Sequence, residues 1–366
     1  MLGYKKKKIN LFEPSFNKLE IEYSVKTLKS GFWASGSGTR NVEKFENQFK
    51  KYVNSKECIA VDSGTAALDL ALNMCDIKNK EVLVPSLTFV STVHAILFNG
   101  GIPVFVDVDP TTLCIDVNNL KEKITEKTKV VIPVHFGGFP CDIKNIKNNV
   151  RKNSLIIVDD AAHACGTTIS GKKIGSLSDF TCFSFHPVKN LAMPKGGAIS
   201  INGKYSNKKN KIKSLRWCGI DNRNGPYYDI TSLGHNYYMD EISAAIGIAQ
   251  LKKLDKMNSK RKNIAKRYFD EIKISEKMKF SRECSYHLYW ILVKNQKNTI
   301  NQLMKNGIEV GAHYHPVHQM SYYKKRTHLP ITEDVGSRII TLPIHPNLSE
   351  DDVNIVIKNV NKVLST

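Results

Sequence analysis

Short, β-rich apolar runs recur along this chain: Cys58–Val61, Val82–Val84, Val104–Val106, Val130–Val134, Leu155–Val158, Phe180–Phe185 and Ala198–Ile201. Between the first five lie segments long enough for crossover helices, such as Thr65–Leu72, Ser91–Phe98 and Asn118–Ile124. A strand buried on both faces reads as a nearly unbroken apolar run, whereas a half-exposed strand alternates. The pattern therefore predicts an α/β fold with a mostly parallel sheet sandwiched by helices. Sheets of this kind bind ligands just outside the carboxyl ends of their strands. Polar residues gather at those ends here: Asp62-Ser63-Gly64-Thr65, Ser86, His135, Asp159-Asp160 and His186.

After about residue 240 the pattern changes. Asp240–Lys256 reads as a helix with Ile242, Ala245, Ile246, Ala249 and Leu254 along an apolar stripe. A smaller α+β segment follows, with a strand at Leu288–Val293 and a loop around Gly311–His318. The expected division is a large domain over 1–250, opened by an N-terminal arm, and a small domain over 251–366. The formal charge of +20 raises the question of a nucleic-acid partner. The excess lysine is dispersed, and only Lys5-Lys6-Lys7-Lys8 and Lys208-Lys209-Asn210-Lys211 form local runs, so no nucleic-acid surface is expected. The most apolar stretch, Val82–Val108, is broken by Pro85, Gly100-Gly101 and Pro103, so it is better read as strand, helix and strand than as a membrane span. The eight cysteines form no CxxC pair and mostly sit in apolar runs, as reduced thiols of a cytoplasmic protein do.

Two strand ends carry the sharpest chemistry. Lys189 follows the run Phe180–Phe185, and Asp160 closes the run that begins at Leu155. An amine and a carboxylate at neighbouring strand ends suit pyridoxal phosphate. The amine can form a Schiff base with the cofactor's aldehyde, and the carboxylate can hold the pyridine nitrogen protonated. Ser63-Gly64-Thr65-Ala66-Ala67 follows a strand and opens a helix, where free amides favour a phosphate; the same residues also serve as ordinary capping chemistry. Either carboxylate of Asp159-Asp160 could likewise cap a helix, and Asp160 is the better cofactor partner. Phe89 can stack on a flat ring or belong to the core. His313, His315 and His318, near Glu309, resemble a metal motif only superficially, because Pro316 breaks any helical register. The loop is read instead as a polar wall of the substrate pocket, with His313, Tyr314 and His318 as its candidates and no metal.

Taken in order, these segments resemble the DegT/DnrJ/EryC1/StrS family, sugar aminotransferases of the aspartate-aminotransferase (fold type I) class. The resemblance runs over nearly the whole chain. It rests on Val42-Glu43-Lys44-Phe45-Glu46, Ser63-Gly64-Thr65-Ala66-Ala67-Leu68, Val84-Pro85-Ser86-Leu87-Thr88-Phe89 and Pro103-Val104-Phe105-Val106-Asp107-Val108-Asp109. Asp159-Asp160-Ala161-Ala162-His163, Phe183-Ser184-Phe185-His186-Pro187-Val188-Lys189-Asn190, Asn236-Tyr237-Tyr238-Met239-Asp240-Glu241 and Leu342-Pro343-Ile344-His345-Pro346 complete it. The resemblance implies that Lys189 is the Schiff-base lysine, Asp160 the partner of the pyridine nitrogen and Phe89 the stacking ring. It places His163 near the cofactor's phenolic oxygen and gives the phosphate to Thr65, the Ala66 amide and Ser184, with Gly64 allowing close approach. Asn236 would reach the cofactor of a neighbouring subunit in a homodimer. Tyr238 stands where the family often has Arg, and Lys195 where an acidic residue usually precedes the double glycine.

The implied reaction moves an amino group from glutamate to a keto group on a nucleotide-linked deoxysugar. Other fold type I activities, an inositol-type aminotransferase or a sugar dehydratase, are the alternatives within enzymes. Lys189 argues against the dehydratase branch, in which the lysine is replaced by His. A non-catalytic regulator that binds the cofactor is the alternative outside enzymes; the chain shows no helix-turn-helix segment to support it.

Overall fold

The computed structural model describes residues 8–150, 155–323 and 327–365. Lys5, Lys6 and Lys7 of the first basic run lie outside the described residues. The chain opens with helices α1 (Lys18–Lys29) and α2 (Asn41–Val53), then alternates. Strand β1 (Glu57–Val61) leads to α3 (Gly64–Asn73), β2 (Glu81–Pro85) to α4 (Ser91–Phe98), and β3 (Ile102–Val106) to α5 (Val117–Glu122). Next come β4 (Thr128–Val131), α6 (Ile143–Val150), β5 (Ile156–Asp160) and a small hairpin of β6 (Thr168–Ile169) and β7 (Lys172–Lys173). Strands β8 (Phe180–Ser184) and β9 (Gly197–Ile201), helix α7 (Lys209–Arg216), and the hairpin β10 (Ile220–Asn224) and β11 (Tyr227–Ile230) follow. The chain closes with α8 (Glu241–Glu271), β12 (Tyr289–Leu292), α9 (Gln296–Lys305), α10 (Pro330–Arg338), β13 (Ile339–Leu342) and α11 (Glu350–Leu364).

Seven strands form the central sheet in the order β1-β9-β8-β5-β4-β2-β3. Only β9 runs against the rest, pairing antiparallel with both β1 and β8. Both faces of the sheet are covered, which is why its strands read as continuous apolar runs. Leu83 and Ile157 pack into one core, whereas their neighbours Val82, Val84 and Val158 pack into another. The expected strand Val130–Val134 stops at Val131. Pro133 has no amide to donate to a ladder, and pairing resumes only as an isolated bridge between Val134 and Asp160.

Helix α8 is far longer than the expected Asp240–Lys256. Asp240 caps it by accepting from the Ser243 amide at 2.7 Å, and no Gly or Pro interrupts it between Leu251 and Glu271. Lys266–Asp270 and Arg267–Glu271 pairs support its exposed end. The expected stripe is also too narrow: Ala244 and Ile248 are fully buried, while Ile242 and Ile246 are only half-buried. Helices α1 and α2 both pack on α8, so more than one side is covered. Residue 250, the expected domain boundary, lies within this continuous helix.

The carboxyl end of β8 is held from below by aromatic packing. Phe183 meets Phe49 of α2 edge-on at 5.0 Å, and Phe185 meets Phe45 and Phe49 at 5.5 and 5.2 Å. Each such pair adds about 0.5–1.5 kcal/mol beyond its burial. Beside them, Glu46 accepts from Arg216 Nη1 at 2.8 Å and from the Ala60 amide at 2.9 Å, fixing α2 to β1 and to the end of α7. The second basic run opens α7, where Lys209 pairs with Glu57 at 2.7 Å.

Candidate active site

A cleft of about 420 Å³ opens at the carboxyl ends of the strands, where Lys189, Asp160, Ser184, Phe89, His313 and Tyr314 meet. Lys189 occupies the loop from β8 to β9. Reversal of the chain there is fixed by bonds from Phe185 N to Gly196 O and from Met193 N to Phe185 O, at 2.8 and 2.7 Å. The buried Asn190 side chain anchors the loop by donating to Asn258 Oδ1 and Ser285 O at 2.8 and 2.9 Å. Lys189 keeps some accessible surface because its tip faces the cleft, but protein surrounds it on the other sides. Burial pulls its ammonium down to about 8, partly opposed by attraction to Asp160.

Asp160 ends β5 and is buried. Burial raises its carboxyl above the ordinary range, against the bonds it accepts from Thr92 Oγ1 at 2.7 Å and Ala162 N at 3.0 Å and the charge of Lys189. Asp159 points elsewhere: it is fully buried, 3.7 Å from His135 Nε2. His135, expected at the ligand edge, is turned inward and accepts from the Cys141 amide at 3.0 Å.

Helix α3 packs beside β8, the strand that leads to the Lys189 loop. Ser63 Oγ caps it by accepting from the Ala66 amide at 3.1 Å. The Ala66 amide, expected at a phosphate, is engaged by this cap here, and its methyl is buried in the core. The Gly64 and Thr65 amides have no carbonyl one turn back to bond. Gly64, Thr65 and Ser184 all line the cleft. A β-carbon on Gly64 would fall 2.8 Å from Ser184 Cβ, and one on Gly197 would fall 2.4 Å from the Ser63 carbonyl, so glycine allows α3 and β8–β9 to close together. At the cleft mouth Lys195 pairs with Asp62 at 2.6 Å.

Opposite Lys189, His163 is buried between Tyr314 and His287, with ring centroids 5.9 and 4.6 Å away. Its Nδ1 accepts from the Gly137 amide at 3.3 Å, so a neutral ring carries its proton on Nε2 and donates it to Tyr314 Oη at 3.0 Å. Burial keeps His163 well below the usual histidine range and pushes the Tyr314 phenol up. The His313 ring reaches Thr341 Oγ1 at 2.7 Å and is lowered to about 4 by burial. His318, expected in the substrate wall, does not line the cleft. It is buried between Ser86 Oγ, 2.7 Å away, and Glu333, 3.2 Å away, which also takes Ser86 out of the site. His315 is exposed, and Glu309 pairs with Lys8 at 3.6 Å. Among the described residues no group of three or more His, Cys, Asp or Glu could hold a metal ion. Asn236 is exposed and outside the cleft of its own chain.

Sequence reasoning missed Phe12, Thr92 and His287. Phe12 comes from the N-terminal segment and stacks on His287 at 5.5 Å. Thr92 supplies the hydrogen bond to Asp160, and His287 Nε2 lies 3.4 Å from Lys189 Nζ. Their sequence neighbourhoods carry no signal that sets them apart. The assembled donor set fits pyridoxal phosphate: a buried carboxylate for a ring nitrogen, an amine of reduced basicity, hydroxyls at a helix N-terminus for a phosphate, and an aromatic wall.

Residues 14–361 match the DegT/DnrJ/EryC1/StrS aminotransferase family. The chain is 35% identical to the spore coat polysaccharide biosynthesis protein SpsC of Bacillus subtilis, covering 96% of each protein. It is 33% identical to GDP-perosamine synthase of Escherichia coli O157:H7, covering 98% of this chain and 99% of that one. Its fold superposes on Spr1654 of Streptococcus pneumoniae in the PMP-form with a TM-score of 0.93 and 29% identity, covering 98% of each chain. The PLP-form of the same protein gives 0.92.

Proposed function

Because the chain belongs to the DegT/DnrJ/EryC1/StrS family of PLP-dependent sugar aminotransferases, we propose that it moves an amino group from glutamate to a keto group of a nucleotide-linked deoxysugar. The product would serve surface-glycan or amino-sugar biosynthesis in the cytoplasm. The observation that carries this reading is the convergence of Lys189, Asp160 and the start of α3 on one cleft. Relatives named for a GDP-linked product and for a spore coat polysaccharide support the substrate class. Among the described residues no helix is long and apolar enough to cross a membrane.

When bound, pyridoxal phosphate supplies the electron sink that stabilises a carbanion next to the transferred nitrogen. Asp160 would hold the ring nitrogen, Thr65, Ser184 and the Gly64 amide the phosphate, and Phe89 a ring face. His163 and Tyr314 would form the wall beside the ring's oxygen. Lys189, with its acidity near 8, is poised to take up and return a proton near neutral pH. The low basicity of His313 leaves a neutral, hydrogen-bonding wall for a sugar. We assign Asn236 to a partner subunit's site in a homodimer. Exposed Tyr227, Tyr228, Ile230 and Leu233 nearby support burial of this surface against a second copy.

Purified protein should be yellow and shift its visible absorption on adding glutamate. Lys189→Ala should abolish turnover with nucleotide-linked keto-sugars, and substantial transamination by that variant would sink the assignment.

A further inference from the structure

His287 is a buried residue touching Lys189 that the reading above leaves without a role. Its position is over-determined. The His287 amide donates to Gly137 O at 2.9 Å, and its ring lies between Phe12, stacked at 5.5 Å, and His163 at 4.6 Å. Gly137 thus orients both histidines, since its own amide donates to His163 Nδ1. Lys189 from the β8–β9 loop and His163 after β5 touch the His287 ring, and Arg261 on α8 and His313 before β13 add to the field on it. Arg261 is a cation, Lys189 is one when protonated, and neither histidine is an anion, so an imidazolium would be desolvated and find no compensating charge.

A neutral imidazole has one proton to place. His287 Nδ1 is buried and has no hydrogen-bond partner among the described residues. An orphaned N–H in that position is costlier and rarer than an orphaned acceptor. The proton therefore belongs on Nε2, the nitrogen 3.4 Å from Lys189 Nζ. An N–H can donate only to the lone pair of a neutral amine, because an ammonium has three donors and no acceptor.

We propose that His287 is a positioning residue that donates a hydrogen bond from Nε2 to the free-base form of Lys189 Nζ, so favouring that form and aiming it into the cleft. The proposal rests on Lys189 being the reacting amine. It adds that the lysine's proton-accepting form is stabilised by a specific donor and not by burial alone. Burial of His287 itself keeps its ring well below the usual histidine range, in line with a neutral donor.

The test uses protein carrying pyridoxamine phosphate, in which Lys189 is free. With isotope-labelled histidine, the ring signals lost in His287→Gln identify His287 by nitrogen NMR. Above about pH 8, where Lys189 is the free base, the expected pattern is a protonated Nε2 and a bare Nδ1. A protonated Nδ1 above that pH, or a cationic ring at neutral pH, overturns the proposal. Competitive acetylation of Lys189, read by mass spectrometry against pH, gives a second measurement. His287→Phe, which lacks a donor, should raise the Lys189 midpoint by roughly half to one pH unit. His287→Gln, whose amide can donate, should stay near wild type. A midpoint in His287→Phe that falls or does not move overturns the proposal; a fall is the sign expected of a ring that accepts from an ammonium. These readouts do not depend on turnover. Residual transamination by Lys189→Ala would defeat the functional reading separately.

Discussion

Replacing Thr92 with Val tests how the candidate site keeps a carboxylate charged in a buried place. Valine preserves the shape of the side chain and removes only the hydroxyl that donates to Asp160 Oδ2 at 2.7 Å. Hydrogen bonds to charged groups contribute about 1.5–3 kcal/mol. The Thr92 hydroxyl also lies 3.0 Å from Phe89 O, so its single proton is shared and the lower end applies. At about 1.36 kcal/mol per unit, the Asp160 carboxyl should rise by about one further unit above a value that burial has already raised. Because that bond favours the anion, its loss removes carboxylate over the window between the old value and the new one. Titration of cofactor-free protein with pyridoxal phosphate, followed by visible absorption, should then show about tenfold weaker binding. The deficit should be largest on the acid side and shrink as pH rises and Asp160 ionises in both proteins. Thr92→Ser, which keeps the hydroxyl, should bind nearly as wild type. Equal affinity for Thr92→Val and wild type at every pH, or an equal loss in Thr92→Ser, would refute the reasoning.

Three further outcomes are expected. Glu46→Ala strands the fully buried Arg216 guanidinium and should cost about 3–5 kcal/mol in urea denaturation; an unchanged midpoint would contradict a structural role for the pair. Gly64→Ala places a β-carbon 2.8 Å from Ser184 Cβ and should displace the first turn of α3. Cofactor affinity should fall by about tenfold or more with little change in far-ultraviolet circular dichroism. Lys189→Met removes a cation that the folded, cofactor-free protein holds at about 8 and the unfolded chain near 10.5. Below pH 8 the wild type bears the cost of burying that ammonium, so the variant should melt about 2 °C higher. Between 8 and 10.5 the folded wild type sheds its proton first and gains stability, so the gap should close; a gap independent of pH would disprove the linkage.

The pattern of buried strands was readable because both faces of each strand are covered, and β1 to β5, β8 and β9 fall where apolar runs predict them. Element ends were less readable. Val130–Val134 looks like one strand until Pro133 withholds its amide, and α8 continues past Lys256 on widely spaced buried residues, Met257, Ile264, Ala265 and Tyr268, diluted by charged ones that pair on its exposed side. In the cleft, Lys189, Asp160, Gly64, Thr65 and Ser184 were legible because each ends or follows a strand that delivers it to the same edge. The cap on the Ala66 amide was not legible, because Ser63 Oγ and a phosphate are both acceptors suited to a helix N-terminus. His318 shares a loop with His313, yet packing against Ser86 turns it away. Phe12 and His287 lie far from Lys189 in sequence, and only the folded chain brings them to it.

Helix α8 has a mechanical consequence. Its first half buries Ala244 and Ile248 against the aromatic layer under β8, and its second half buries Ala265 and Tyr268 in the core that also holds Trp290 and Val356. Asn258, midway, accepts from Asn190 next to Lys189. One unbroken rod therefore ties both packing regions to the lysine loop. The protein should melt as a single cooperative unit, and cutting the chain near residue 250 would slacken the lysine loop instead of freeing an autonomous half.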